Sequence, residues 1–307
     1  MKIDFSGRVA IVTGAGNGLG RSHALALAER GAKVVVNDLG GARDGTGASS
    51  VAADEVVGLI EAVGGEAFAH GANVAEFDEV DDMVAQTMSK WGRVDILVNN
   101  AGILRDKSFS KMDLADFKLV MDVHLMGSVN CSKAVWDIMR LQNYGRIVMT
   151  TSASGMYGNF GQTNYAAAKG AIASMTYTWA IELAKYGIRV NAIGPTGTTR
   201  MSDTFTGSKN SDDIKYPYID PTLNGPLIAF LSSDQASNIS GQIFGCGGDR
   251  LALMVQPHYG KTLTKEGGWS LEEIKNSLPK KLIPEFGNLG MLSKPYPFLN
   301  GVVPTKK

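Results

Sequence analysis

Two cysteines in 307 residues, Cys131 and Cys246, exclude a disulfide-stapled secreted scaffold. Both lie in apolar stretches that suit buried free thiols, so a reducing compartment is expected. Net charge is missing as well: 30 Lys and Arg balance 30 Asp and Glu, leaving no bulk field to draw nucleic acid or an anionic membrane. No run of about 18 apolar residues offers a membrane span, and no apolar export segment precedes the strand-like Arg8 to Thr13. The ending Pro304-Thr305-Lys306-Lys307 does not match a serine-lysine-leucine address, and a cytoplasmic location is expected. Of the four histidines, His23, His70 and His258 show no metal-ligand spacing with one another or with the cysteines, so no metal is expected.

Glycine, in contrast, is frequent, with 37 residues gathered in short motifs. Such clusters occur where backbone turns tightly or approaches a ligand. Short β-branched runs alternate with segments of helical period. The predicted strands are Val9 to Thr13, Lys33 to Asp38, Ala67 to His70, Ile96 to Asn99, Arg146 to Thr150, Arg189 to Ile193 and Gln242 to Cys246. The predicted helices are Gly18 to Arg30, Ser49 to Val63, Asp78 to Trp91, Asp113 to Leu141, Thr163 to Lys185, and Pro221 to Ser232 with a kink at Pro226. The alternation predicts an α/β fold: a Rossmann doubly wound, seven-stranded parallel sheet with helices on both faces.

That domain is expected to occupy residues 1–250. Residues 251–307 hold six of the ten prolines, which leaves little room for regular structure. One helix is predicted there, Ser270 to Leu278, opened by a Ser270/Glu273 capping box and stopped by Pro279. The extension is expected to pack on the domain or on an oligomer partner.

Thr13-Gly14-Ala15-Gly16-Asn17-Gly18-Leu19-Gly20 follows the first strand and opens the first helix. Glycine lets backbone come close to a pyrophosphate, while a helix start supplies free N–H groups and positive dipole. Gly14, Asn17, Gly18, Leu19 and Gly20 are therefore candidate dinucleotide contacts. Asp38, at the end of the second strand, can accept hydrogen bonds from both adenine-ribose hydroxyls and would repel a 2′-phosphate. No basic residue stands in the turn or directly after Asp38, which favours NAD over NADP; Arg43 is the nearest cation in sequence. Asn73 and Val74, after the third strand, are candidates for adenine. Asn100, Ala101 and Gly102, after the fourth, are candidates to line the cleft.

Tyr165 and Lys169 are four apart on one predicted helix and share a face. A phenol is a poor base at neutral pH, but an adjacent ammonium favours the phenolate, which makes Tyr165 a candidate acid/base. Ser152, just past the fifth strand, is placed to hold a substrate oxygen, and Lys169 to hold the nicotinamide ribose.

In this order, the glycine turn, Asn99-Asn100-Ala101-Gly102, Ser152, Tyr165-x-x-x-Lys169 and Arg189-Val190-Asn191-Ala192 before Pro195 resemble the classical short-chain dehydrogenase/reductase family over about residues 5 to 250. The resemblance implies a Ser-Tyr-Lys mechanism, nicotinamide binding by the segment after Pro195, with Thr198 among its threonines, and a homodimer or homotetramer. Val36 to Gly41, Asn100 to Asp106 and Ser154 to Tyr165 are more closely similar to the (3R)-hydroxyacyl-CoA dehydrogenase unit of type 2 multifunctional β-oxidation enzymes and its bacterial single-unit relatives. That implies an acyl-CoA substrate, oxidised at its 3-hydroxyl. A hydroxysteroid or other secondary alcohol is the alternative, and a non-catalytic dinucleotide-binding regulator a further one. Substrate choice is expected to rest on residues 202–218. A separate hydratase is a candidate partner, since the chain carries no hydratase unit. His124 stands where many family members have Asn. It is a candidate relay toward Lys169 through its backbone, a neutral donor, or a packed helix histidine. Arg200 occupies a position often given to threonine.

Overall fold

Aliphatic runs such as Val-Ala-Ile-Val-Thr and Lys-Val-Val-Val-Asn have no polar face and must be covered on both sides. In the computed structural model, which describes residues 2–199, 218–287 and 289, they are. The strands are β1 (Val9–Thr13), β2 (Lys33–Asn37), β3 (Ala67–His70), β4 (Ile96–Asn99), β5 (Gly145–Thr150), β6 (Ile188–Pro195), β7 (Ile243–Gly247) and β8 (Arg250–Met254). Their spatial order is β3-β2-β1-β4-β5-β6-β7-β8. The first seven pair in parallel, as expected from the sequence; β8 pairs antiparallel with β7.

The helices are α1 (Gly18–Ala28), α2 (Val51–Ala62), α3 (Phe77–Trp91), α4 (Leu114–Met121), α5 (Gly127–Gln142), α6 (Ala153–Tyr157), α7 (Thr163–Leu183), α8 (Gly225–Ser232) and α9 (Leu271–Lys281). Alternate strand residues feed two cores. Ile11, Val35, Leu97, Ile147 and Val190 pack against Met83, Val135, Met139 and Ile172 of α3, α5 and α7. Ala10, Val12, Val34, Val36, Ile96 and Val98 pack against Leu27, Val56, Ile60 and Ile228 of α1, α2 and α8. This is the doubly wound arrangement, with its ligand crevice at the carboxyl edge, where the strand order reverses between β1 and β4.

Several expectations are corrected. The sheet does not end with seven strands at residue 250: the proline-free run Arg250–Met254 adds an antiparallel edge strand, a short signal submerged in a proline-rich segment. The single helix expected from Asp113 to Leu141 is two helices joined by a five-residue π-helical turn, Asp122–Met126. A single π turn is too short to register as a break in hydrophobic period, and here it separates α4, which packs on α7, from α5, which packs on the sheet. Pro226 opens α8 instead of kinking it, after a 3₁₀ turn at Pro221–Asn224, because proline is tolerated where no N–H is needed. Pro279 lies inside α9, which keeps the Ser270/Glu273 capping box but runs on to Lys281. α9 has no buried residue, so the carbonyl that loses its partner to Pro279 faces solvent. The short helix α6, directly after Ser152, has no counterpart among the predicted elements.

Candidate active site

The β1–α1 turn is shaped by its glycines. Gly14 and Gly18 have positive φ, +62° and +54°, which side-chain-bearing residues rarely adopt. A Cβ on Gly20 would stand 2.0 Å from the Gly14 carbonyl oxygen and 2.5 Å from Asn100 Nδ2. Asn17 caps α1 without a side-chain bond, and the first turn of α1 holds no acid, so the leading N–H groups remain available to an anion. The turn thus offers backbone N–H groups and open space to an anion.

Thr13, absent from the predicted contacts, braces that turn. Its Oγ1 accepts from the N–H groups of Asn100 and Ala101, each at 3.0 Å. Asn100, read from sequence as lining the cleft, spends its amide on the carbonyls of Thr13 (2.9 Å) and Gly14 (3.1 Å). Asn99 turns away, toward Ser132 and Met149.

Asp38 follows β2. One carboxylate oxygen accepts from Gly16 N–H and the other from Gly40 N–H, both at 2.7 Å. The anion is thus pinned beside the glycine turn. Val74 is buried, held by Asn130 Nδ2 on its carbonyl (2.9 Å) and seated against Gly127, whose Cβ would meet Val74 at 2.6 Å. Asn73 lies beside it, its N–H bonded to Glu79 (2.8 Å). Neither Asn130 nor Gly127 stands out in the sequence, although a glycine opening a long helix was the available signal. On the far side of the turn, Thr199 approaches Gly18 and Leu19 approaches Gly197, while Pro195 ends β6 and Thr198 exchanges bonds with Ile219. Arg200 and the expected substrate segment 202–217 lie outside the described residues; Tyr218 is within them.

The reacting end is carried by α6 and α7. Ser152 caps α6, accepting from Ser154 N–H at 3.2 Å. A Cβ on Gly155 would meet Gly170 N at 2.6 Å, so a glycine there lets α6 lie directly on α7. That close packing brings Ser152 to Tyr165, to which it is hydrogen-bonded. Lys169, one turn along, has its ammonium 5.6 Å from the Tyr165 ring centre and donates to Thr150 O at 2.6 Å. Lys169 is buried and Tyr165 half-buried. Burial pushes Tyr165 up to about 12, opposed by the Ser152 bond, and pushes Lys169 down to about 7. In the ligand-free site, desolvation therefore outweighs the phenolate stabilisation expected from the Tyr/Lys spacing alone. Such opposed shifts in adjacent acid/base groups are characteristic of catalytic centres.

His124 sits in the π turn, its ring edge-on to Tyr165 with centres 5.2 Å apart. Its Nε2 is 2.8 Å from Ile103 O and 3.1 Å from Ile103 N, while Nδ1 is buried without a partner. Burial, and secondarily the Lys169 charge, hold it far below the ordinary histidine value, so it is neutral. Gly102 makes room for the ring: a Cβ there would fall 2.3 Å from His124 Cε1.

Comparison with known proteins agrees with this geometry. The family model for short chain dehydrogenase matches residues 8–210. The chain is 48% identical over 250 residues to the peroxisomal multifunctional enzyme type 2 of Drosophila melanogaster, aligning 80% of this chain and 40% of that protein. It is 45% identical over 241 residues to a putative short-chain type dehydrogenase/reductase of Mycobacterium tuberculosis (78% and 82% of the two chains). With a hydroxyacyl-CoA dehydrogenase of the same organism it shares 35% identity over 287 residues (90% and 88%). Among solved structures, a short chain dehydrogenase from Mycobacterium avium superposes with a TM-score of 0.80 at 36% identity, covering 93% of this chain and 97% of that one. A 7α-hydroxysteroid dehydrogenase complexed with NADH and 7-oxo glycochenodeoxycholic acid gives 0.72 at 31% identity (80% and 95%). The chain belongs to the short-chain dehydrogenase family. It is an oxidoreductase of the alcohol dehydrogenase type, and it spans less than half the length of the fly protein it matches.

Proposed function

We propose that this protein oxidises a (3R)-3-hydroxyacyl-CoA to the 3-ketoacyl-CoA with NAD. The observation that carries the reading is the Ser152–Tyr165–Lys169 group, the serine hydrogen-bonded to the tyrosine and the lysine buried one turn along, on a fold whose β1–α1 glycine turn leaves room for a dinucleotide. The relative named as a hydroxyacyl-CoA dehydrogenase, which aligns through most of the chain, supports the substrate class.

The residues present fit a nicotinamide dinucleotide. Gly14, Asn17, Gly18, Leu19 and Gly20 would hold the pyrophosphate, Asp38 the adenine ribose, Asn73 and Val74 the adenine, and Pro195 with Thr198 the nicotinamide. Ala101 and Gly102 would form the floor between them. When bound, the nicotinamide supplies the hydride acceptor. Ser152 Oγ orients the substrate hydroxyl. Tyr165 Oη, as the phenolate, takes its proton and becomes the neutral phenol; Lys169 opposes the charge of that phenolate before the transfer and would hold the nicotinamide ribose. His124 stays neutral and holds the Ile103 backbone, serving any relay by position and not by ionising.

Asp38 supports NAD over NADP: it is an acceptor fixed by two backbone N–H groups, and its charge would oppose a 2′-phosphate on the ribose it holds. The charge of Arg43 acts on Asp106, in the loop after β4. A cytoplasmic location, a homodimer or homotetramer, an extension (251–307) that packs on the domain or on a partner subunit, and a separate hydratase acting on the same acyl-CoA belong to the same proposal. None of the helices among the described residues is long and apolar enough to cross a membrane.

The test is NADH oxidation with acetoacetyl-CoA and, separately, a steroid ketone, by wild type and Tyr165→Phe. The proposal expects turnover of acetoacetyl-CoA that is lost in Tyr165→Phe. Turnover of the steroid alone would replace the substrate, and NADH binding without reduction of either would remove the enzyme reading.

A further inference from the structure

The loop after Gly102, residues 103–107, is bonded to the approach to α7 at three places. Lys107 N–H donates to Gly161 O (2.9 Å), Asn164 Nδ2 to Arg105 O (3.1 Å), and Gln162 Nε2 to Asp106 Oδ2 (2.8 Å). Gln162 is the N-cap of α7, and Tyr165 is in the first turn that follows. The direction of the Gln162 amide is fixed by its other end: Oε1 accepts from Ser154 Oγ (2.8 Å) and Asn159 Nδ2 (2.9 Å), so its NH₂ has to face Asp106. Ser154 belongs to α6, the helix capped by Ser152. One amide therefore ties the loop, the serine helix and the tyrosine helix together.

Arg105 anchors the loop on its other side, through Asp116 (2.6 Å) and the Asp44 carbonyl (2.8 Å). Asp106 is left with a second carboxylate oxygen, Oδ1, that is buried and has no hydrogen-bond partner. A carboxylate so poorly solvated projects its field further than an exposed one. It lies against the start of α7, whose first turn contains no acid of its own, where a helix favours negative charge.

We propose that Asp106 is a positioning residue for the acid/base step: held through Gln162, its carboxylate places negative charge at the first turn of α7, which carries Tyr165, and locks that turn against the helix capped by Ser152. This rests on the reading of Tyr165 as acid/base. Among the described residues, the groups that act on Tyr165 are Ser152 from the segment after β5, His124 from the π turn, Lys169 from its own helix, and the charge of Asp106 from the loop after β4. Asp106 in turn faces Gln162 and the positive charge of Arg43. Burial is the main cause of the elevated Tyr165 value, and the Asp106 charge acts in the same direction. Burial also raises the Asp106 carboxyl, against the Gln162 bond and Arg43.

The sign of the effect follows. Removing the charge at Asp106 makes the Tyr165 phenolate easier to form, and oxidation needs that phenolate. Asp106→Asn keeps an acceptor for Gln162, so it removes charge with little change of shape. In the oxidative direction its kcat/KM profile should show an acidic limb displaced by about one pH unit toward lower pH, with the KM for NAD unchanged. Gln162→Leu breaks the tie and leaves the charge: kcat should fall about tenfold, with no downward displacement of the limb. Tyr165→Phe is measured alongside, because substantial turnover in that variant would remove the acid/base reading itself. With Tyr165→Phe inactive, an Asp106→Asn profile that coincides with wild type overturns the proposal. If Asp106→Asn does not fold, as judged by circular dichroism, Gln162→Leu decides: a wild-type kcat overturns the proposal, and the tenfold fall supports it.

Discussion

At the Asp38 end of the cleft, the proposed dinucleotide site is made mostly from backbone: positive-φ glycines, free N–H groups at the start of α1, and a carboxylate pinned by Gly16 and Gly40. At the Tyr165 end the proposed site is made from side chains, a half-buried phenol pushed up to about 12 and a buried ammonium pushed down to about 7. The first kind of site is damaged by adding atoms and the second by removing them. The two ends should accordingly fail in different ways, one through affinity and the other through turnover.

The largest separation is expected from Tyr165→Phe, which should lower kcat by about 10³-fold or more, at the strong end of general acid/base effects, with NADH affinity retained. Gly20→Ala should do the reverse. Its methyl meets the Gly14 carbonyl oxygen at 2.0 Å, and the forced shift should cost about 1–3 kcal/mol of stability, read by denaturant melts, together with most of the dinucleotide affinity. Asp38→Asn should reduce the preference for NAD over NADP by roughly tenfold, measured as the ratio of kcat/KM values, because one repelled charge is removed at a partly exposed site.

Lys169→Met sharpens the comparison through pH. The folded-state value of about 7 lies below the ordinary 10.5, so below pH 7 folded and unfolded chains both hold the proton. Between those values only the unfolded chain holds it, and wild-type stability gains with pH across that window. The melting temperature of wild type relative to Lys169→Met should therefore rise between pH 7 and pH 9, by about 5 °C. A constant difference would mean that Lys169 is not a buried cation. The smallest effect is expected in α9: Ile274→Ala removes a side chain that packs into no core and should change stability by less than about 0.5 kcal/mol.

The two ends also differ in how far they could be read from sequence. The glycine turn and Asp38 were legible because backbone demands leave glycine in the sequence and because the strand rhythm placed them at one sheet edge. Ser152, Tyr165 and Lys169 were legible as an ordered set, and the structure brings them together. What was not legible was how the set is held. Gln162 and Asp106 stand in the sequence only as members of two stretches that carry the resemblance, and the fold is what joins them through one amide; Asn100, read as lining the cleft, spends its amide on Thr13 and Gly14. The π turn under His124 and the antiparallel edge strand β8 were hidden for a related reason: neither alters hydrophobic period over enough residues to register.

The account is tested most directly by measuring two quantities on the same two variants: the NADH dissociation constant, and the single-turnover rate of hydride transfer to acetoacetyl-CoA at saturating NADH. Tyr165→Phe is predicted to bind NADH as wild type does and to transfer hydride at least about 10³-fold more slowly, while Gly20→Ala loses NADH affinity. A Tyr165→Phe enzyme that transfers hydride at the wild-type rate, or that loses NADH as completely as Gly20→Ala, would contradict the division of the cleft into a backbone-built binding end and a buried reacting end.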